Sequence, residues 1–323
     1  MSSREFPLLV AVALLALSSS ACSGAKSRGA TQNRAQSNPT DSSLEVDQTD
    51  TTTEDDPCAQ MFSNLFVKVD TISDGNFTVT KLHKSVRDSQ SGLQMPVTYA
   101  TLTSQGRTVA VFDGVYSPVG NFIQFGFADL LGGQSKQLIV SQTIPRHGRN
   151  WIVDLSGDGT VVFDSDDWGL SDEDVCIHDY DDDGIKEITC AIKYFWGFGS
   201  MSMADSPMPG VVFKYQPVAK TFTPDVEMFS RGLNGIEDDV AAIDPDEDPD
   251  TETPGQYLAP RLDILLRYIY AGREANGWDF FDAAYKPANG EELKQQIKRK
   301  LNSEPVYRYV YGMPALPRPP IQN

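Results

Sequence analysis

A mostly β fold with a small α-helical C-terminal part is what this sequence predicts, and three observations carry that expectation. Through the middle of the chain, short β-branched and aromatic runs alternate with turn residues. The turns recur at an even spacing, which is the mark of repeated hairpins. Beyond residue 255 the apolar residues change to helical spacing.

The first element is a leader. Arg4 supplies a positive n-region, Pro7 to Leu17 is an apolar run, and Ser19-Ser20-Ala21 places small residues before a cleavage point, so residues 1–21 are expected to be a secretory signal peptide. The run is too short to span a bilayer, and the mature chain is expected to begin at Cys22, outside the cytoplasm. The stretch Ser19 to Gly24 resembles a bacterial lipoprotein box, although Ser19 stands where Leu is usual. That resemblance implies a lipid on Cys22 and so a membrane partner, with Ser23 implying an outer-membrane lipoprotein. The plain alternative is a secreted or periplasmic protein with an unmodified Cys22. Residues 22–57 are Ser, Thr, Gln, Asn, Asp and Gly with almost no large apolar side chain. Such a stretch cannot bury enough surface to offset its ordering entropy, and it reads as a disordered tether.

Residues 58–224 form the expected β-rich repeat domain. Strands are predicted at Val97–Leu102, Thr108–Phe112, Gln137–Ser141, Trp151–Asp154 and Val211–Tyr215. Asp129, Asp154 and Asp179 mark turns 25 residues apart, and the same step lands on Ser104-Gln-Gly upstream and on Ala204-Asp-Ser-Pro downstream. Tandem hairpins of this kind would assemble into a partial propeller-like or sandwich sheet.

Residues 225–255 carry Glu237, Asp238, Asp239, Asp244, Asp246, Glu247, Asp248, Asp250 and Glu252 between prolines. Like-charge repulsion predicts an acidic linker or loop there. In residues 256–312, Leu258, Leu262, Leu265, Leu266 and Ile269 repeat at helical spacing up to Gly272, and Leu293, Ile297 and Leu301 repeat every four residues. Two amphipathic helices are expected, joined by the aromatic segment Trp278 to Tyr285. The alternation Tyr307, Tyr309, Tyr311 reads as an edge strand, and residues 313–323 as a Pro-rich tail. A net charge of −18 and a pI of about 4.5 argue against nucleic acid as a partner.

One constellation carries chemistry. Asp179, Asp181, Asp183 and Glu187 place oxygens at positions one, three, five and nine of a loop, with Gly184 at the sharp turn and the Ile185 carbonyl at position seven. Calcium takes several such hard oxygens, and the crowded carboxylates would be relieved by it; the bland alternative is an acidic turn with transient ions. The loop is not an EF-hand, since Cys190 stands at position twelve and strands are expected on both sides. It resembles the calcium loops of FG-GAP and VCBS-type repeats, which implies Asp179, Asp181, Asp183 and Glu187 as side-chain ligands and calcium in a structural role. A weaker second loop keeps Asp154, Ser156 and Asp158 but has Val162 at the ninth position, and the Asp129 turn has lost the ligands. If Asp179 faces Glu187 across the hairpin, Cys176 faces Cys190 and the two are near enough for a disulfide. His83, His147 and His178 are scattered, with no nucleophile motif and no catalytic residue indicated. These residues lead to an exported, lipid-anchored envelope protein acting as a non-catalytic binding or structural module on an envelope protein or glycan. The alternative is a calcium-containing enzyme acting on envelope polymers or glycans.

Overall fold

The computed structural model describes residues 65–66, 69–87, 92–113, 121–144, 147–170, 175–231, 233, 235–244, 247–249 and 253–315. The chain divides into two units, Met1–Gln60 and Met61–Asn323, and every described residue belongs to the second. The leader, Cys22, the tether, Cys58 and residues 316–323 of the Pro-rich tail lie outside the described residues. Among those described, no helix is long and apolar enough to cross a membrane.

Twelve described strands form three antiparallel sheets, each a meander of four strands consecutive in the chain. The first contains β1 (Thr71–Asp74), β2 (Phe77–Arg87), β3 (Gln94–Ser104) and β4 (Arg107–Phe112). The second contains β5 (Phe122–Ala128), β6 (Gln137–Ile144), β7 (His147–Asp154) and β8 (Thr160–Asp164). The third contains β9 (Cys176–His178), β10 (Glu187–Ala191), β11 (Gly210–Gln216) and β12 (Thr221–Pro224). The mostly β class is therefore correct, and the β-branched runs singled out in the sequence all lie in strands.

Side-chain alternation explains how the sheets stack. On β6, Leu138 and Val140 join Phe77, Val79, Leu102 and Phe112 of the first sheet in one core. Ile139, between them, joins Ile177, Ile188, Val211 and Phe213 of the third sheet in the other. Neighbouring β7 divides in the same way, with Trp151 and Val153 on one side and Ile152 on the other. A sheet buried on both faces must read as a continuous apolar run rather than an alternating one, and Gln137-Leu-Ile-Val and Trp151-Ile-Val do so.

The evenly spaced turns close hairpins at one end of this stack. Residues 105–106 join β3 to β4, 129–136 join β5 to β6, 155–159 join β7 to β8 and 179–186 join β9 to β10. The step to Ala204 also lands on turn residues, but they lie within a long connection, residues 192–209, between β10 and β11 and do not close a tight hairpin.

The helical part covers the open face of the third sheet, its apolar residues sharing that sheet's core. It comprises α1 (Val226–Arg231), α2 (Ile236–Ala242), α3 (Pro254–Tyr270), α4 (Glu274–Ala284), α5 (Gly290–Leu301) and α6 (Pro305–Val310). A capping box between Thr253 and Gln256 starts α3, and Gly272, with φ +74°, follows its end.

Three expectations need correction. The aromatic joiner Trp278–Tyr285 is largely α4, because Trp278 and Phe281 bury one face of it. The tyrosine alternation lies on α6 rather than on a strand: Pro305 opens the helix and the Glu304 side chain accepts from the Val306 and Tyr307 N–H groups. The acidic segment contains α1 and α2, and it is held to the bundle. The Arg261 guanidinium, buried and stacked on Tyr257, bonds Glu247 at 2.7 Å, and Arg267 bonds Asp239 at 2.5 Å. Opposite charge from α3 offsets the like-charge repulsion that pointed to a linker.

Candidate metal centre

The acidic loop sits between β9 and β10, where strand ends bring its carboxylates together. Ligand oxygens of Asp179, Asp181 and Glu187 lie within 4.8 Å of one another. The loop folds on its own first residue: Asp179 accepts from the Asp183 N–H at 3.1 Å and the Gly184 N–H at 2.9 Å. Asp182 and Gly184 take the left-handed backbone, with φ of +58° and +84°, which makes glycine the fitting residue at the sharp turn. The next sheet steadies the loop, since the Lys186 N–H donates to the Leu130 carbonyl at 2.7 Å. Gly132 lies so close that a Cβ there would stand 2.8 Å from the Gly184 carbonyl oxygen.

Glu187 is the unusual member. It is fully buried, and only its Oε2 is hydrogen-bonded, by the Tyr180 N–H at 2.8 Å. Oε1 has no hydrogen-bond partner, and neither has Asp181 Oδ1. Burial, with added repulsion from Asp181 and Asp183, raises the Glu187 carboxyl above the ordinary glutamate range. A buried carboxylate with one bare oxygen is costly unless a cation answers it.

Lys214 supplies the nearest positive charge. It follows Phe213 on β11, whose partner across the ladder is Ile188, so Lys214 comes level with Glu187. Its ammonium bonds Asp181, lies 2.9 Å from Asp183 and stands 3.9 Å from Glu187. Those two aspartates raise the lysine well above its usual range, and the bond from Lys214 lowers Asp183 in turn. Nothing in the loop's spacing announced Lys214; the only signal was a charged residue inside the apolar strand Val-Val-Phe-Lys-Tyr.

Of the five expected ligands, then, Asp179, Asp181 and Glu187 converge. Asp183 turns to Lys214 and to the Ile185 N–H at 2.8 Å. Among the described residues, this is the one group of three or more metal-ligating side chains.

The weaker loop does not form a second cluster. Asp154 accepts from the Ser156 N–H at 3.1 Å, the Ser156 hydroxyl at 2.5 Å and buried Gln137 at 3.3 Å. Val162 points into the apolar core where an acid would be needed.

The disulfide expectation fails on register. Glu187 pairs with His178, not Asp179, and Thr189 pairs with Cys176. A one-residue slip reverses the face of every side chain, so Cys176 and Cys190 are not opposite one another. Cys190 is buried and takes no part in a disulfide, whereas Cys176 is disulfide-bonded.

His83 contacts Thr98 at 3.2 Å, and His178 sits edge-on to Tyr180. A separate recess of about 360 Å³ lies beside the β8 edge, with Phe163, Trp168, Tyr309 and Met313 as apolar walls and Asp167 and Arg308 among its lining residues. It offers a stacking surface rather than a nucleophile. Comparison with protein-family models, with curated proteins and with solved structures finds no match to this chain.

Proposed function

We propose that this chain is an exported, lipid-anchored envelope protein whose β domain is braced by calcium and serves as a non-catalytic binding or structural module. The observation that carries the calcium part is Glu187: a fully buried carboxylate, with no hydrogen bond to its Oε1, in a cluster of three acidic side chains. Asp179, Asp181 and Glu187 would supply side-chain oxygens, and the Ile185 carbonyl completes the set in the FG-GAP and VCBS pattern. Hard oxygens of this kind suit calcium better than a soft transition metal. A divalent ion would satisfy the bare oxygens and hold the β9–β10 hairpin against the β5–β6 turn. Three consecutive four-stranded meanders, stacked face to face, support an open, partial propeller-like arc. Helices cover its last sheet where a further blade would otherwise pack.

The test is a thermal melt of the full chain with excess calcium and with chelator. Calcium should raise the wild-type midpoint, because a ligand that binds only the native state must stabilise it, and Asp181→Ala should abolish the rise. Superimposable wild-type melts would overturn the calcium assignment. The address is tested separately at Cys22. Cys22→Ser should release the protein from the membrane fraction, and an unchanged distribution would overturn the lipid anchor.

A further inference from the structure

We infer that Lys214 is a built-in competitor for the divalent ion, so that the loop exchanges a side-chain ammonium for calcium instead of filling an otherwise bare acidic cage. The inference rests on the calcium reading above and deepens it. Three facts place the ammonium among the loop's carboxylates. It touches Asp181, lies 2.9 Å from Asp183 and reaches within 3.9 Å of Glu187. It therefore contacts two of the three clustered acids, Asp181 and Glu187. Even so, Glu187 Oε1 and Asp181 Oδ1 lack hydrogen bonds, so one ammonium leaves the buried oxygens incompletely satisfied.

An ammonium carries a single charge and donates along three directions, whereas calcium accepts six to eight oxygens around a double charge. The cage therefore holds a partial substitute. Divalent binding must move the ammonium aside, and the long lysine stem on β11 can carry it to solvent, since the side chain is already 25% exposed. The consequence is a penalty on affinity: the apparent dissociation constant equals the intrinsic one divided by the fraction of molecules whose cage is clear of the ammonium. Such a site would stay bare of calcium at low concentration without its carboxylates repelling one another, and would load only where calcium is abundant.

The experiment is calcium titration by calorimetry on the full chain, comparing wild type, Lys214→Met, Lys214→Arg and Asp181→Asn. Methionine keeps the apolar stem and removes the charge, so Lys214→Met should bind calcium about tenfold more tightly, as expected when roughly nine cages in ten hold the ammonium. Its chelator-treated melt should fall below that of wild type. Lys214→Arg, which keeps a competing cation, should stay near wild type, and Asp181→Asn should not bind. Equal affinity in wild type and Lys214→Met, with Asp181→Asn inactive, overturns the competitor role and leaves the calcium reading standing. Binding by Lys214→Met alone overturns the exchange, since the lysine then holds the native site permanently, and overturns the calcium reading with it. Absence of binding in both overturns the two together. Should Lys214→Met fail to fold, side-chain resonances of isotope-labelled lysine in wild type decide the matter. The Lys214 signal must move with the same midpoint as calcium binding, and a static signal during binding overturns the inference.

Discussion

Among the described residues two glutamates are buried almost completely, Glu187 in the acidic loop and Glu304 in the helical part, and they are stabilised in different ways. Glu304 caps α6, with both oxygens taken by backbone donors: the Val306 N–H at 2.9 Å and the Tyr307 N–H at 2.5 Å. Burial pushes its carboxyl up to about 7, only partly opposed by those bonds. Glu187 has one backbone donor, an ammonium at 3.9 Å and an oxygen without a hydrogen bond. One site meets its burial with two amides and a raised affinity for the proton, the other with one amide and a lysine ammonium. The contrast separates a carboxylate closed off by backbone donors from one that faces an ammonium.

The largest expected effect tests the proton side of that contrast. A carboxyl whose folded value is raised stabilises the fold fully below its unfolded value of 4.5, and that stability is lost as pH rises through about 7. The difference in unfolding free energy between wild type and Glu304→Gln should therefore change by about 3 kcal/mol between those limits, in favour of the variant at higher pH. Denaturant titrations across that pH range read it, and a constant difference would break the comparison.

Calcium tests the cation side. At a free concentration about a hundredfold above its dissociation constant, calcium should add about 2.7 kcal/mol to wild type and nothing to Glu187→Gln. Glu304→Gln should keep the full calcium increment, since its site lies in a different element. Loss of the increment in that variant would mean that the two acids are coupled.

A smaller effect is expected at the sister turn. Asp154→Ala removes the acceptor for Ser156 and Gln137 and should cost about 1–2 kcal/mol by chemical denaturation, with the calcium response unchanged. The smallest effect concerns the cysteines. Under non-reducing conditions Cys190→Ala should retain the disulfide seen by intact mass, whereas Cys176→Ala should lose it.

Strand positions were legible because the middle sheet buries both faces, so Leu138-Ile-Val and Trp151-Ile-Val stand out as unbroken apolar runs. The acidic loop was legible because its spacing is local. Lys214 was not, since it arrives from β11, across the sheet and 27 residues beyond Glu187. The hairpin register was misjudged by one residue for the same reason: it depends on how the loop folds around Asp179, not on which residues flank it. At Glu304-Pro305 the cap signals were present in the sequence, but the period-two tyrosines masked them. The docking of the acidic segment depended on Arg261, a single buried cation in α3 that composition alone does not connect to Glu247.

Burial of the middle sheet on both faces also sets a timetable for exposure. Amides of Ile139 and Ile152 are shielded by a complete apolar layer on either side, so their exchange with solvent deuterium should require global opening, whereas Thr78 and Thr80 of β2 can exchange through local fraying. A protease that trims α5 and α6 would uncover the third sheet first and reach the ladder between β6 and β7 last.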